Sequence, residues 1–113
     1  NMTIAIIPVG YADGLRRSLS QGNWSVEIDG KLYPIIGNIC MDMCMIDITN
    51  SKYETGDSVI IFGTQNTVFQ MAKTLNTIPY EIISLISSRV HRVYLITNLC
   101  SQLITNIHLN LNL

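Results

Sequence analysis

Trp24-Ser25-Val26-Glu27-Ile28-Asp29-Gly30-Lys31-Leu32-Tyr33-Pro34-Ile35-Ile36 reads as two strands around a tight turn. Trp24, Val26 and Ile28 alternate with polar residues at the period of a half-buried strand, and Asp-Gly is a dipeptide that two-residue hairpin turns favour. Pro34 has no amide proton, so the return strand is expected at a sheet edge or interrupted at that point. Working outward, Thr3-Ile4-Ala5-Ile6-Ile7 is a short β-rich run closed by Pro8. On the other side, Ile39–Ile48, with Asp42 and Asp47 embedded, and Ser58–Phe62, after the Gly56-Asp57 turn, read as buried strands. From Thr67 the period becomes helical: Val68, Met71, Ala72 and Leu75 share a face, with Thr67 or Asn66 placed to cap the first turn. Pro79 stops that helix and has the fixed φ to open the next, and Glu81–Ser87 reads as a short second helix. Arg89–Leu95 reads as a final strand. The pattern predicts a mainly β fold, a small barrel or sandwich with a short helical insert, over residues 1–96. The remainder, 97–113, is an atypical tail rich in Asn, Leu and Ile.

Composition narrows the function. A chain of 113 residues has the length of one domain, and with 48% hydrophobic and 13% charged residues its surface is poor in charge, as if part of it were covered by a partner. Seven Lys and Arg against eight Asp and Glu, with no basic stripe, give phosphate-backbone binding no electrostatic footing. No nucleic-acid partner is therefore expected. No run reaches the roughly 20 apolar residues that cross a bilayer, and the N-terminus lacks a basic segment ahead of an apolar one, so a cytoplasmic location away from the membrane is expected. Cys40, Cys44 and Cys100 are odd in number and unlike a secreted disulfide framework; reduced thiols are the simpler assumption.

Two stretches exceed what core packing demands: Val9-Gly10-Tyr11-Ala12-Asp13-Gly14 and Gly37-Asn38-Ile39-Cys40-Met41-Asp42-Met43. Between Gly10 and Gly14 a tyrosine can be held with its ring exposed, although one that caps the domain's rim fits the same spacing. Asp13 is a turn-former that accepts local backbone amides. A backbone amide beside Met41 suits a small carboxylate, whereas Met41, Met43 and Met45 on one side of a strand read equally as core. A soft-metal cluster of these sulfurs fails on direction, since Cys40 and Cys44 on a strand face away from the methionines. No metal site is expected. His91 reads as a partly exposed strand residue, and Arg89 and Arg92 as partners of a carboxylate in a structural ion pair.

Together with Tyr80-Glu81-Ile82 and Arg89-Val90-His91-Arg92, these motifs make the chain resemble the C-terminal β-domain of bacterial alanine racemase over about Ile4 to Tyr94. The resemblance implies that domain's small β-barrel. It also implies an isomerase that uses pyridoxal phosphate to interconvert L- and D-alanine for cell-wall peptidoglycan synthesis, in a head-to-tail homodimer. Tyr11 would narrow the substrate entrance, Met41 would contact the substrate carboxylate, and Asp42 would belong to the same wall. Two positions depart from the pattern: His91 stands where proline is common, and Ser88, shorter by a ring, where some members have a tyrosine that reaches the cofactor phosphate. In the family the lysine that forms the cofactor imine lies on a preceding N-terminal barrel, and the opposing base is a tyrosine in a Ser-Tyr-Gly segment upstream. Only ten residues precede Tyr11 here, none of them tyrosine, so no catalytic residue is assigned and the chain by itself is expected to be inert. Alternatives are a racemase domain for another small amino acid and a stand-alone β-domain that acts as an assembly module.

Overall fold

The computed structural model describes residues 1–93 and the backbone of 108–110. Six strands, β1 (Ile4–Ile7), β2 (Ser25–Ile28), β3 (Lys31–Ile36), β4 (Cys44–Asp47), β5 (Ser58–Ile60) and β6 (His108–Asn110), form one antiparallel sheet in the order β1-β4-β3-β2-β5-β6. Two short helices, α1 (Val68–Thr74) and α2 (Pro79–Ser84), follow β5. The sheet curls into a half-barrel, the mainly β architecture with a helical insert that the sequence predicts. Cys100 and most of the 97–113 tail lie outside the described residues.

The hairpin forms as its sequence demands. Asp29 (φ 52°) and Gly30 (φ 77°) both take the left-handed conformation, the requirement of a two-residue turn whose twist matches its strands. Ile28 then faces Lys31 and Ser25 faces Pro34. β3 is an inner strand, yet Pro34 pairs only with β2, and pairing with β4 starts at Ile35 and Ile36. The missing amide proton therefore falls where the sheet passes from one ladder to the next.

One register carries the core. Ala5, Ile46 and Ile35 lie opposite one another across β1, β4 and β3, and none is exposed to solvent. The next layer, Ile6, Met45 and Ile36, points the other way, and Ile4 and Ile6 remain about half exposed. Strand parity thus leaves an apolar stripe on the outer face. Inside, Val26, Ile28 and Val59 join Val68, Met71, Ala72 and Ile82 of the helices in the same cluster.

Thr67 caps α1: its hydroxyl accepts from Gln70 N (3.2 Å) while Gln70 Oε1 accepts from Thr67 N (3.0 Å). Thr67→Ala is expected to cost about 1 kcal/mol. A shift in the urea midpoint at unchanged m-value would report it; no shift would mean that packing alone holds the helix. Pro79 occupies the first turn of α2, as its fixed φ favours.

Three expectations are corrected. Ile39–Met43 is not strand: Cys40 N donates to Met43 O (2.8 Å), and the Cys40 and Met41 carbonyls accept from Tyr11 N and Ala12 N rather than from a ladder. Arg89–Val93 is not strand either, because the Ser87 hydroxyl accepts from Arg89 N (3.1 Å) and Ser87 O from Val90 N (3.0 Å), which closes a turn. Tyr94 and Leu95, the end of that expected strand, lie outside the described residues. Finally, α2 runs over Pro79–Ser84 rather than Glu81–Ser87.

Candidate active-site rim

Tyr11–Asp13 forms a single 3₁₀ turn, closed by Gly14 N donating to Tyr11 O (3.2 Å). Gly14 leaves it at φ 112°, a conformation that residues with a side chain rarely adopt. The Asp13 carboxylate reaches back to accept from Gly10 N (3.0 Å), the turn-forming role its sequence context predicts. Tyr11 is carried outward with 46% of its surface exposed.

The second motif lies directly against the first. Tyr11 N donates to Cys40 O (3.0 Å) and Ala12 N to Met41 O (2.9 Å). Two stretches far apart in sequence are thus joined backbone to backbone, and Gly10 is what lets them approach. A Cβ at Gly10 would come within 2.5 Å of the Met41 carbonyl and closer still to Cys40 O.

Met41 is 58% exposed, and Asp42 is exposed beside it. Among the described residues the Met41 amide donates to no group of the domain. This overturns the reading of Met41, Met43 and Met45 as a core stripe: Met43 is also exposed and Met45 only partly covered, while Cys44 and Ile46 take the inward positions. Parity distinguishes the two faces of a strand without telling which is inside. The cysteines share one parity and are separated instead by where β4 begins. Cys40, off the strand, is an exposed free thiol, and Cys44 a buried one, its pKa pushed up to about 12 by burial and by the neighbouring Cys40.

A third segment closes on the same loop. Asp13 O accepts from Ser87 N (3.1 Å), and Arg89 Nε lies 3.6 Å from Asp13 Oδ1. The structural ion pair expected of Arg89 is therefore with Asp13, whereas Arg92 donates to Ile86 O (2.7 Å) beyond the end of α2. Arg16 pairs with Glu81 on α2; that guanidinium, aided by a hydrogen bond with Thr77, holds the Glu81 carboxyl below the usual carboxylate range. Ser88 and His91 are exposed. The sequence reading placed Asp13 and Arg89 separately and missed their contact; opposite charges in two motifs were the available signal.

Residues 1–94 match the family described as alanine racemase, C-terminal domain. The chain belongs to the alanine racemase family. It is 54% identical over 96 residues to alanine racemase 1 of Caldanaerobacter subterraneus subsp. tengcongensis, an alignment that takes in 80% of this chain and 24% of that protein. Alanine racemase of Clostridium difficile 630, solved in complex with cycloserine, superposes with a TM-score of 0.77 at 43% identity, covering 83% of this chain and 25% of that one. The enzyme from Bartonella henselae, solved with covalently bound pyridoxal phosphate, superposes at 0.78 with 35% identity, covering 83% and 26%. The chain thus spans about a quarter of the length of the racemases it matches.

The domain's own residues do not fit a covalently held cofactor. The groove beside Tyr11 is lined by Gly14, Arg16, Arg17, Ser18 and Leu85, without a lysine. Lys31 opens β3 at the hairpin turn, Lys52 follows β4, and Lys73 sits on α1.

Proposed function

We propose that this chain is the C-terminal domain of an alanine racemase that interconverts L- and D-alanine for peptidoglycan synthesis in the cytoplasm. On this reading Tyr11, Met41 and Asp42 line the substrate entrance. A barrel domain N-terminal to this one supplies the pyridoxal phosphate, its lysine and the opposing tyrosine. The cofactor's chemistry is to acidify the substrate Cα proton by delocalising the resulting charge; this domain's part is to shape the entrance.

The observation that carries the reading is the backbone-locked pair of exposed side chains, Tyr11 and Met41, on a chain of this family. An exposed tyrosine ring and a methionine beside an undonated amide serve poorly as a packed core and well as the wall of a site for a small amino acid. The apolar outer stripe of Met2, Ile4 and Ile6 supports burial against another domain, in keeping with a barrel partner and a homodimer.

Mixing the chain with a separately expressed racemase barrel and pyridoxal phosphate is expected to yield conversion of L- to D-alanine, whereas the chain alone gives none. Met41→Ala in that mixture is expected to raise KM for alanine about tenfold, the loss of one good hydrophobic contact and its shape. Unchanged kinetics would remove Met41 from the site. A faster rate on serine than on alanine would reassign the substrate. No activity from a folded chain that still binds the barrel would remove the racemase reading, and failure to bind any such barrel would favour an assembly module.

A further inference from the structure

We infer that Asp13 is a positioning residue, whose carboxylate, held between the Gly10 amide and Arg89, sets the backbone that carries Tyr11 against the backbone that carries Met41. The kinetic consequence rests on the racemase reading above; the structural one does not.

Asp13 is 9% exposed, and a buried carboxylate is costly unless it is paired and hydrogen-bonded. Forming the local turn requires only the bond from Gly10 N to Oδ2 at 3.0 Å. The other oxygen, Oδ1, is 3.6 Å from Arg89 Nε, and the Asp13 carbonyl accepts from Ser87 N at 3.1 Å. Arg89 is itself mostly exposed, and a pair at that distance and exposure contributes little to global stability. What the contact does is geometric. It ties the Gly10–Gly14 loop to the turn that follows α2, so the loop is gripped at Gly10, at Ser87 and at Arg89 while resting on Cys40 and Met41.

Tyr11 and Met41 need such a grip. Both side chains are about half exposed, so packing does little to fix either. Their separation is set by two backbone bonds, Tyr11 N to Cys40 O and Ala12 N to Met41 O. Those bonds last only while the loop stays seated, and among the described residues Asp13 is the one side chain whose polar atoms touch both the loop's entry and the Arg89 turn.

The test has two arms. In the 113-residue chain, amide hydrogen exchange is followed by NMR for wild type, Asp13→Asn, Asp13→Ala, Arg89→Gln and Arg89→Lys. Asp13→Ala is expected to speed exchange at Tyr11 and Ala12 about tenfold, the loss of a charge-assisted hydrogen bond, with amides of Ile46 and Val59 nearly unchanged. Asp13→Asn keeps an acceptor for Gly10 N, and Arg89→Gln leaves Asp13 intact; both should give smaller shifts at the same two amides, and Arg89→Lys should restore most of the protection. Should Asp13→Ala fail to fold, these milder variants still decide. Exchange that rises equally at Ile46 and Val59, or not at all at Tyr11 and Ala12, would overturn the inference.

In the second arm the same variants are paired with a racemase barrel. KM for alanine is expected to rise about tenfold for Asp13→Asn while kcat stays within about twofold, since entrance geometry acts on binding. An active pair whose KM does not move would overturn the positioning role. Local loosening of Tyr11 and Ala12 with no racemase activity in wild type would instead sink the racemase reading and leave the clamp standing.

Discussion

Gly10→Ala is expected to lose about 3 kcal/mol of stability, at the upper end of what overpacking by a single methyl costs. The reason is contact, not backbone conformation. Gly10 sits at φ −144° and ψ −163°, extended backbone that any residue adopts. Its added Cβ would collide with the Cys40 and Met41 carbonyl groups, which are backbone and cannot rotate aside. Relief requires the Tyr11–Asp13 turn to lift off residues 40–41, which breaks the bonds from Tyr11 N and Ala12 N, each worth about 1 kcal/mol net. Gly22→Ala is the control. Gly22 has the opposite character, φ 83° with nothing within 4 Å of the point where a methyl would stand, so only conformational strain of about 1 kcal/mol is expected. Urea denaturation of both variants would decide. A loss at Gly10 no larger than that at Gly22 would mean that the two motifs are not seated on each other.

What could be read in advance follows the range of the forces involved. The hairpin at Asp29-Gly30 and the cap at Thr67 are local, because each is satisfied by atoms within three residues, and both stand where the sequence predicts. Arg89–Val93 alternates like a strand, but alternation supplies no neighbour to pair with, and a nearer acceptor, the Ser87 hydroxyl, takes the Arg89 amide. The methionine stripe fails for a related reason. Periodicity separates Met45 from Cys44 and Ile46, yet only the sheet's curvature decides which set is inside. At the candidate site, Tyr11, Met41 and Asp42 were legible as members of two motifs. Their contact was not, since it runs through carbonyls that the sequence assigned to a strand. The Asp13–Arg89 pair was least legible of all, being a long-range meeting of charges in segments whose separate local roles were already accounted for.

The second large effect lies away from the rim. Asn66→Ala is expected to cost about 2 kcal/mol, because one buried side-chain amide joins three backbone carbonyls, and its loss leaves one of them without a donor. Asn66 is 3% exposed, and its Nδ2 lies 3.0 Å from Ser25 O, 3.2 Å from Ile60 O and 2.9 Å from Ile61 O. β2 and β5 share a register of only Glu27 with Ile60, so beyond that pair no ladder bond joins the two strands and this amide takes its place. Trp24 Nε1 also donates to Ile61 O (2.8 Å), and Ile60 is paired with Glu27 in the ladder, which leaves Ser25 O as the group orphaned by truncation. One such group at about 1 to 3 kcal/mol sets the scale; the Asn66 Oδ1, which has no partner of its own, lowers the total somewhat, since its burial cost disappears with it. Asn66→Asp separates donation from shape. The carboxylate has the same outline but no proton to give, so at neutral pH it faces the carbonyls as a buried anion and should be less stable than the alanine variant. Its folded-state pKa must then lie above the unfolded value, so that variant should gain stability as the pH falls and the acid regains a proton to donate. Parallel urea titrations of the two variants at pH 7 and pH 5 would test both steps. If Asn66→Ala proves nearly neutral, water serves the orphaned carbonyl, and the junction between β2 and the start of α1 is open to solvent.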